Sequence, residues 1–208
     1  MPEESASAVK PPPLPVIGLA SRWTRIFAAL LDFTIIALIA GFILSRFLLP
    51  ENFPEVYSTI LDWHAEKTAE LEAAVEAGEP FPEFGQPPVE EKRFAEMVAY
   101  ALAVFATFVW AYFFVSESLM RGSTLGKATF SIRVLSLRTG QPPTAMESAL
   151  RAAAKSFTFL SPSLFLPINL AVMAFNQQRR AGHDLLARTI VISGRTIVAK
   201  PATPSKKA

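Results

Sequence analysis

Three charged residues stand where charge is costly, and they are where this 208-residue chain could do chemistry. Asp32 sits six residues past Ile26, the start of an apolar run, or about 9 Å along a helix. A carboxylate at the centre of a membrane helix costs about 2.5–3.5 kcal/mol on insertion scales, and less near the interface. Two roles fit it: an ion or proton site, or a hydrogen-bonded packing residue that orders a helix bundle. Arg25 lies seven residues earlier on the same helix face, about 10 Å away and too far for a direct ion pair. Each therefore needs another partner. Asp184 follows Arg179 and Arg180, just past the third apolar segment. That order predicts that Arg25 and Asp184 meet at one membrane interface and form a structural clamp, the guanidinium binding the carboxylate through parallel hydrogen bonds.

Other chemistries find few residues to carry them. The chain has no cysteine and two histidines, His64 and His183, which excludes disulfides, thiolate metal sites and a cysteine nucleophile. His183 beside Asp184 is not a catalytic pair, because adjacent side chains diverge and no motif places a nucleophile. The stretch from Gly122 to Lys127 resembles a phosphate loop only superficially: Arg121 and Ala128 stand where that motif needs glycine and a hydroxyl residue. The expectation is a turn at the membrane surface, with Lys127 reaching toward lipid headgroups. No catalytic, metal or cofactor residue is expected, and the chain reads as no enzyme. A net charge of +2 gives no reason to expect nucleic acid.

The elements that must position these residues are apolar. Hydrophobic residues make up 51% of the chain and charged residues 18%, against about 25% charged in a soluble domain. Ile26 to Leu44 is apolar except for Asp32, and Met97 to Ser116 carries no charge at all, with Trp110 and Tyr112 near one end. Both are about the length that crosses a bilayer. A third apolar segment, Ser156 to Gln178, is interrupted by Pro162, Pro167 and Asn169, so one straight crossing helix is not expected. The class is an all-α integral membrane protein with two clear transmembrane helices and a Pro-interrupted third segment. A small cytoplasmic β element and an amphipathic helix complete it.

Charge sets the topology. The loop 50–96 holds twelve acidic and three basic residues, whereas 117–155 holds six basic and two acidic, and 179–207 seven basic and one acidic. Basic loops remain in the cytoplasm. The acidic loop, with a helix from Asp62 to Ala77, therefore faces outward. Both ends of the two-span hairpin face inward, and a third segment that enters and returns would keep the C-terminal stretch inward too; a full third crossing, which would put that stretch outside, is the alternative. Thr144 to Glu147 forms a capping box for a helix over 144–157, with Glu147, Arg151 and Lys155 on one face and Met146, Leu150 and Phe157 on the other. Such a helix suits the membrane surface. Phe130 to Leu137 and Thr189 to Ser193 are β-branched runs predicted to pair. Residues 1–20 read as a disordered Pro-rich tail, 21–196 as the membrane domain and 197–208 as a disordered basic tail.

Arg25 and Asp32 in the first helix, Gly122 to Lys127 with Ile132, Arg133 and Val134, and His183 to Ala187 before Thr189 to Ile192 resemble the signature segments of the RDD family. Asp184 is then the signature's second aspartate. The resemblance implies a small multi-pass protein of the inner membrane with the lipid bilayer as its surroundings. Two functions are consistent with it. One is ion or small-solute transport using Asp32, which so few spans would support only as a homo-oligomer. The other is a non-transporting scaffold or accessory subunit bound to a membrane-protein partner.

Overall fold

The computed structural model describes residues 16–197, and the expected tails lie largely outside that range. Strand β1 spans Val16–Leu19, within the stretch expected to be disordered. Ser21 caps α1, Arg22–Ile43, its hydroxyl accepting from the Thr24 amide. A π-helical turn, Leu44–Leu48, and α2, Leu49–Asn52, continue α1, so Arg22 to Asn52 is one run long and apolar enough to cross a membrane. Helix α3 fills Pro54–Ala77 and ends on Gly78 in the left-handed conformation. It begins eight residues before the expected Asp62, with a proline at its first turn, where the missing N–H is harmless.

Helix α4, Glu91–Leu119, is the second run long and apolar enough to cross. The short helix α5, Leu125–Thr129, leads into β2, Ile132–Ser136. Helix α6, Ala145–Leu160, starts on the predicted capping box: Thr144 and Glu147 each bond the other's backbone N–H. The expected break falls at Ser161, where Pro162 opens α7, Pro162–Phe175. Pro167 is accommodated inside α7. Helix α8, Gly182–Leu186, and β3, Thr189–Ile197, close the fold. The strands form one antiparallel sheet in the order β1-β3-β2, with Val134 opposite Val191. The predicted pairing of the two β-branched runs is thus present, and β1 adds an edge.

Helices α6 and α7 make a hairpin that leaves the sheet and returns to it. Near its end, α6 stacks Phe159 on Phe33 of α1 at 5.0 Å between ring centroids. Helix α7 then runs back until the carbonyls of Met173 and Ala174 accept from Arg22, at the start of α1. Asn169 bridges the two arms: its amide donates to Thr158 of α6, and its oxygen accepts from the Gly182 amide. At 14 residues, α7 is about 21 Å long, short of the ~30 Å hydrocarbon core.

Candidate functional site: two buried polar knots

Asp32 is 1% exposed and accepts three hydrogen bonds. One carboxylate oxygen accepts from the Tyr112 hydroxyl at 2.6 Å and the Gly126 amide at 2.8 Å; the other accepts from the Thr124 hydroxyl at 2.6 Å. The aspartate thus ties α1 to α4 and to the loop that begins α5. Gly126 is required here, because a Cβ at that position would collide with the Ala28 carbonyl and lie 2.9 Å from the Asp32 carboxylate.

The second knot lies where α1, α4, α6 and α8 meet. Arg25 meets Asp184 through one nitrogen and not through the expected pair of parallel bonds, because its other terminal nitrogen donates to the Arg179 carbonyl. Asp184 is wholly buried and also accepts from Arg151 and from the Ala181 amide. Arg151, itself 0% exposed, reaches Glu117 at 2.9 Å through Nε and bonds Thr189 at the start of β3. Glu117 is buried at the end of α4 and takes two further cations, Lys127 and Lys155, the latter at 2.6 Å. The Lys155 ammonium also sits 3.8 Å from the centroid of the Phe113 ring. Four cations thus share two carboxylates, and each carboxylate binds at least two of them.

Two expectations are corrected. Lys127 is buried against Glu117 rather than extended toward lipid. Helix α6 is amphipathic as expected, but it turns its charged face inward. Glu147, Arg151 and Lys155 are buried, while Met146 and Phe157 are 78% and 63% exposed. Where the surroundings are hydrocarbon, charge belongs inside and apolar side chains outside.

Sequence reasoning named Arg25, Asp32 and Asp184 but not Glu117, Arg151, Lys127 or Lys155 as parts of one cluster. A signal was available in Glu117, an acid at the end of a charge-free span and at the head of a basic segment. Because Asp184 keeps Arg151 when Arg25 is lost, the clamp is part of a network and not an isolated pair. Arg25→Gln should therefore cost about 1–3 kcal/mol in detergent unfolding, less than Arg151→Gln, which strips both carboxylates. Equal losses would show that Arg25 and Arg151 are equivalent supports.

Burial alone would raise the Asp184 carboxyl; His183, Arg151 and Arg25 beside it hold it well below the usual carboxylate range. The two arginines supply that charge, because His183 is itself kept neutral. Burial lowers the His183 imidazole, and although Asp184 favours its protonation, Arg151, Lys155 and Arg25 oppose it, leaving it well below 6.5. An unfolded chain then binds a proton near pH 6.5 that the folded chain refuses, so stability falls as pH drops through that range. Melting temperature should fall by a few degrees between pH 7.5 and 5.5, and His183→Gln should flatten that slope. An unchanged slope in the variant would assign the effect elsewhere.

Among the described residues no group of acids and histidines could hold a metal ion. His64 is exposed on α3 and bonds only within its own helix, to Thr68. No curated protein and no solved structure matches the chain. The RDD family model matches residues 19–188, a range that includes every charged member of both knots. Mostly helical, with two helices long and apolar enough to cross a membrane and the family model matched over most of its length, this chain belongs to the RDD family.

Proposed function

We propose that the protein is a multi-pass component of the inner membrane that acts as a scaffold or accessory subunit, and that its signature residues hold its shape rather than carry an ion. The observation behind this reading is the state of Asp32. An acid that binds and releases a proton or cation needs access to water, whereas this one is buried and already accepts from three donors, with one lone pair left on the oxygen that meets Thr124. In the second knot every carboxylate is bonded to at least two cations, although one terminal nitrogen of Arg151 is buried without a hydrogen-bond partner. In this reading α6 and α7 form a re-entrant hairpin whose exposed apolar face meets lipid, and the sheet lies at the cytoplasmic end. The return of α7 to Arg22 supports this, because it keeps the basic residues after α7 on the same side as those before α1. The acidic helix α3 then projects on the outer side, where a membrane-protein partner or a second copy could meet it.

Flux separates the two functions. Proteoliposomes containing only this protein should show no ion flux above empty vesicles while the protein stays folded. Flux that disappears in Asp32→Asn would overturn the scaffold reading in favour of transport. Topology is tested separately: in intact cells an impermeant thiol reagent should label Ser58→Cys and leave Thr139→Cys unlabelled. Labelling at Thr139→Cys would place the sheet outside.

A further inference from the structure

The two knots sort the charges of residues 117–194 by sign. This stretch contains three acids, Glu117, Glu147 and Asp184, and all three are buried. Glu147 is consumed by the α6 cap and by the Ser136 hydroxyl, which donates to it at 2.8 Å. The buried cations Lys127, Arg151 and Lys155 face those acids, whereas Arg121, Arg133, Arg138 and Arg188 are exposed. The surface around β2 therefore carries a net positive charge, with Glu147 offsetting part of it near Arg138.

These four arginines surround β2. Arg133 is on the strand, and Arg138 follows its end. The Arg188 carbonyl accepts from the Leu137 amide. Gly122, next to Arg121, accepts through its carbonyl from the Val134 amide. Large apolar side chains are interleaved with them: Leu119 and Leu186 are 78% and 62% exposed, and Phe130 and Leu137 are exposed as well. A soluble acidic partner would meet the arginines but gain nothing from greasy side chains dispersed among them. A bilayer interface uses both, since phosphates meet the guanidinium groups while apolar side chains dip below them.

We propose that this arginine-ringed face around β2 binds the phosphates of anionic phospholipids. The proposal rests on the reading that the sheet lies at the membrane interface. Arginine suits the task because its planar fork grips two phosphate oxygens at once.

The test uses the full chain in neutral detergent, where neither side of a membrane is defined, so its outcome is independent of the thiol labelling. Phosphatidylglycerol or phosphatidylcholine is added in mixed micelles, and retained lipid is counted by native mass spectrometry. Wild type should retain the anionic lipid at least about threefold more, a conservative margin for several basic residues each worth about fivefold near a surface. Arg121→Gln/Arg133→Gln/Arg138→Gln/Arg188→Gln should lose the preference, and Arg133→Gln/Arg138→Gln, which avoids the left-handed positions Arg121 and Arg188, should lose part of it. Raising salt should weaken it in wild type. Equal retention of both lipids by wild type, or an undiminished preference in a folded double variant, would overturn the proposal. So would full displacement of the lipid by inorganic phosphate at equal concentration, which would make this a site for free phosphate.

Discussion

Replacing Glu117 by Gln should cost the protein about 3–5 kcal/mol, lowering its melting temperature in detergent by about 10 °C. Glu117 is the carboxylate bonded to Lys127 and Lys155, and it shares Arg151 with Asp184. An amide of the same shape keeps one acceptor and places an NH2 donor among cations that offer only donors. Three buried positive charges would then share Asp184, which already binds Arg25. The penalty arises from stranding those charges more than from losing any one bond. Removing one of them together with the acid, as in Glu117→Gln/Lys155→Met, should therefore recover part of the loss. If the double variant is no more stable than the single one, repulsion among the cations is not what Glu117 relieves.

Gly126→Ala should be nearly as damaging, at about 3 kcal/mol or more. The new methyl group would overlap the Ala28 carbonyl, a backbone atom inside a helix that cannot step aside. Helix α5 would have to withdraw from α1, and the Gly126 amide would lose its bond to Asp32. Overpacking costs about 1–3 kcal/mol, and a hydrogen bond to a charged group contributes about 1.5–3. Gly41→Ala is the matching control, since its Cβ would meet nothing within 4 Å. Within α1 that change should be neutral or stabilising by up to about 1 kcal/mol. Comparable losses at both positions would indicate that general helix perturbation, and not the contact with Asp32, decides the outcome.

Much of this architecture was legible in the sequence, for identifiable reasons. The clamp could be foreseen because Arg25 required an anion and Asp32 lay too far along its own helix. The sheet was visible in two β-branched runs, and the start of α6 in the spacing of Thr144 and Glu147. The direction in which α6 faces was not legible. A charged stripe is compatible with water outside or with ion pairs inside, and only the position of Glu117 on α4 decides between them. Asp32 was ambiguous for the same reason, since its three donors come from Tyr112, Thr124 and Gly126, at least 80 positions away in the chain. Strand β1 was missed because four residues behind a proline-rich stretch carry too little periodic signal, and it forms by pairing with β3 at the far end of the chain.

The second knot also constrains biogenesis. Arg25 is 159 positions ahead of Asp184, so the ribosome delivers the first charge long before its counter-ion. Until α8 is made, Arg25 has no carboxylate to meet and Arg151 has Glu117 alone. A nascent chain at that stage carries an uncompensated guanidinium group at Arg25. Emergence of α8 supplies that carboxylate, so the closing motif is the last part of the knot to be made. A chain truncated at Ala181 should insert both spans and then be degraded much faster than the full-length protein.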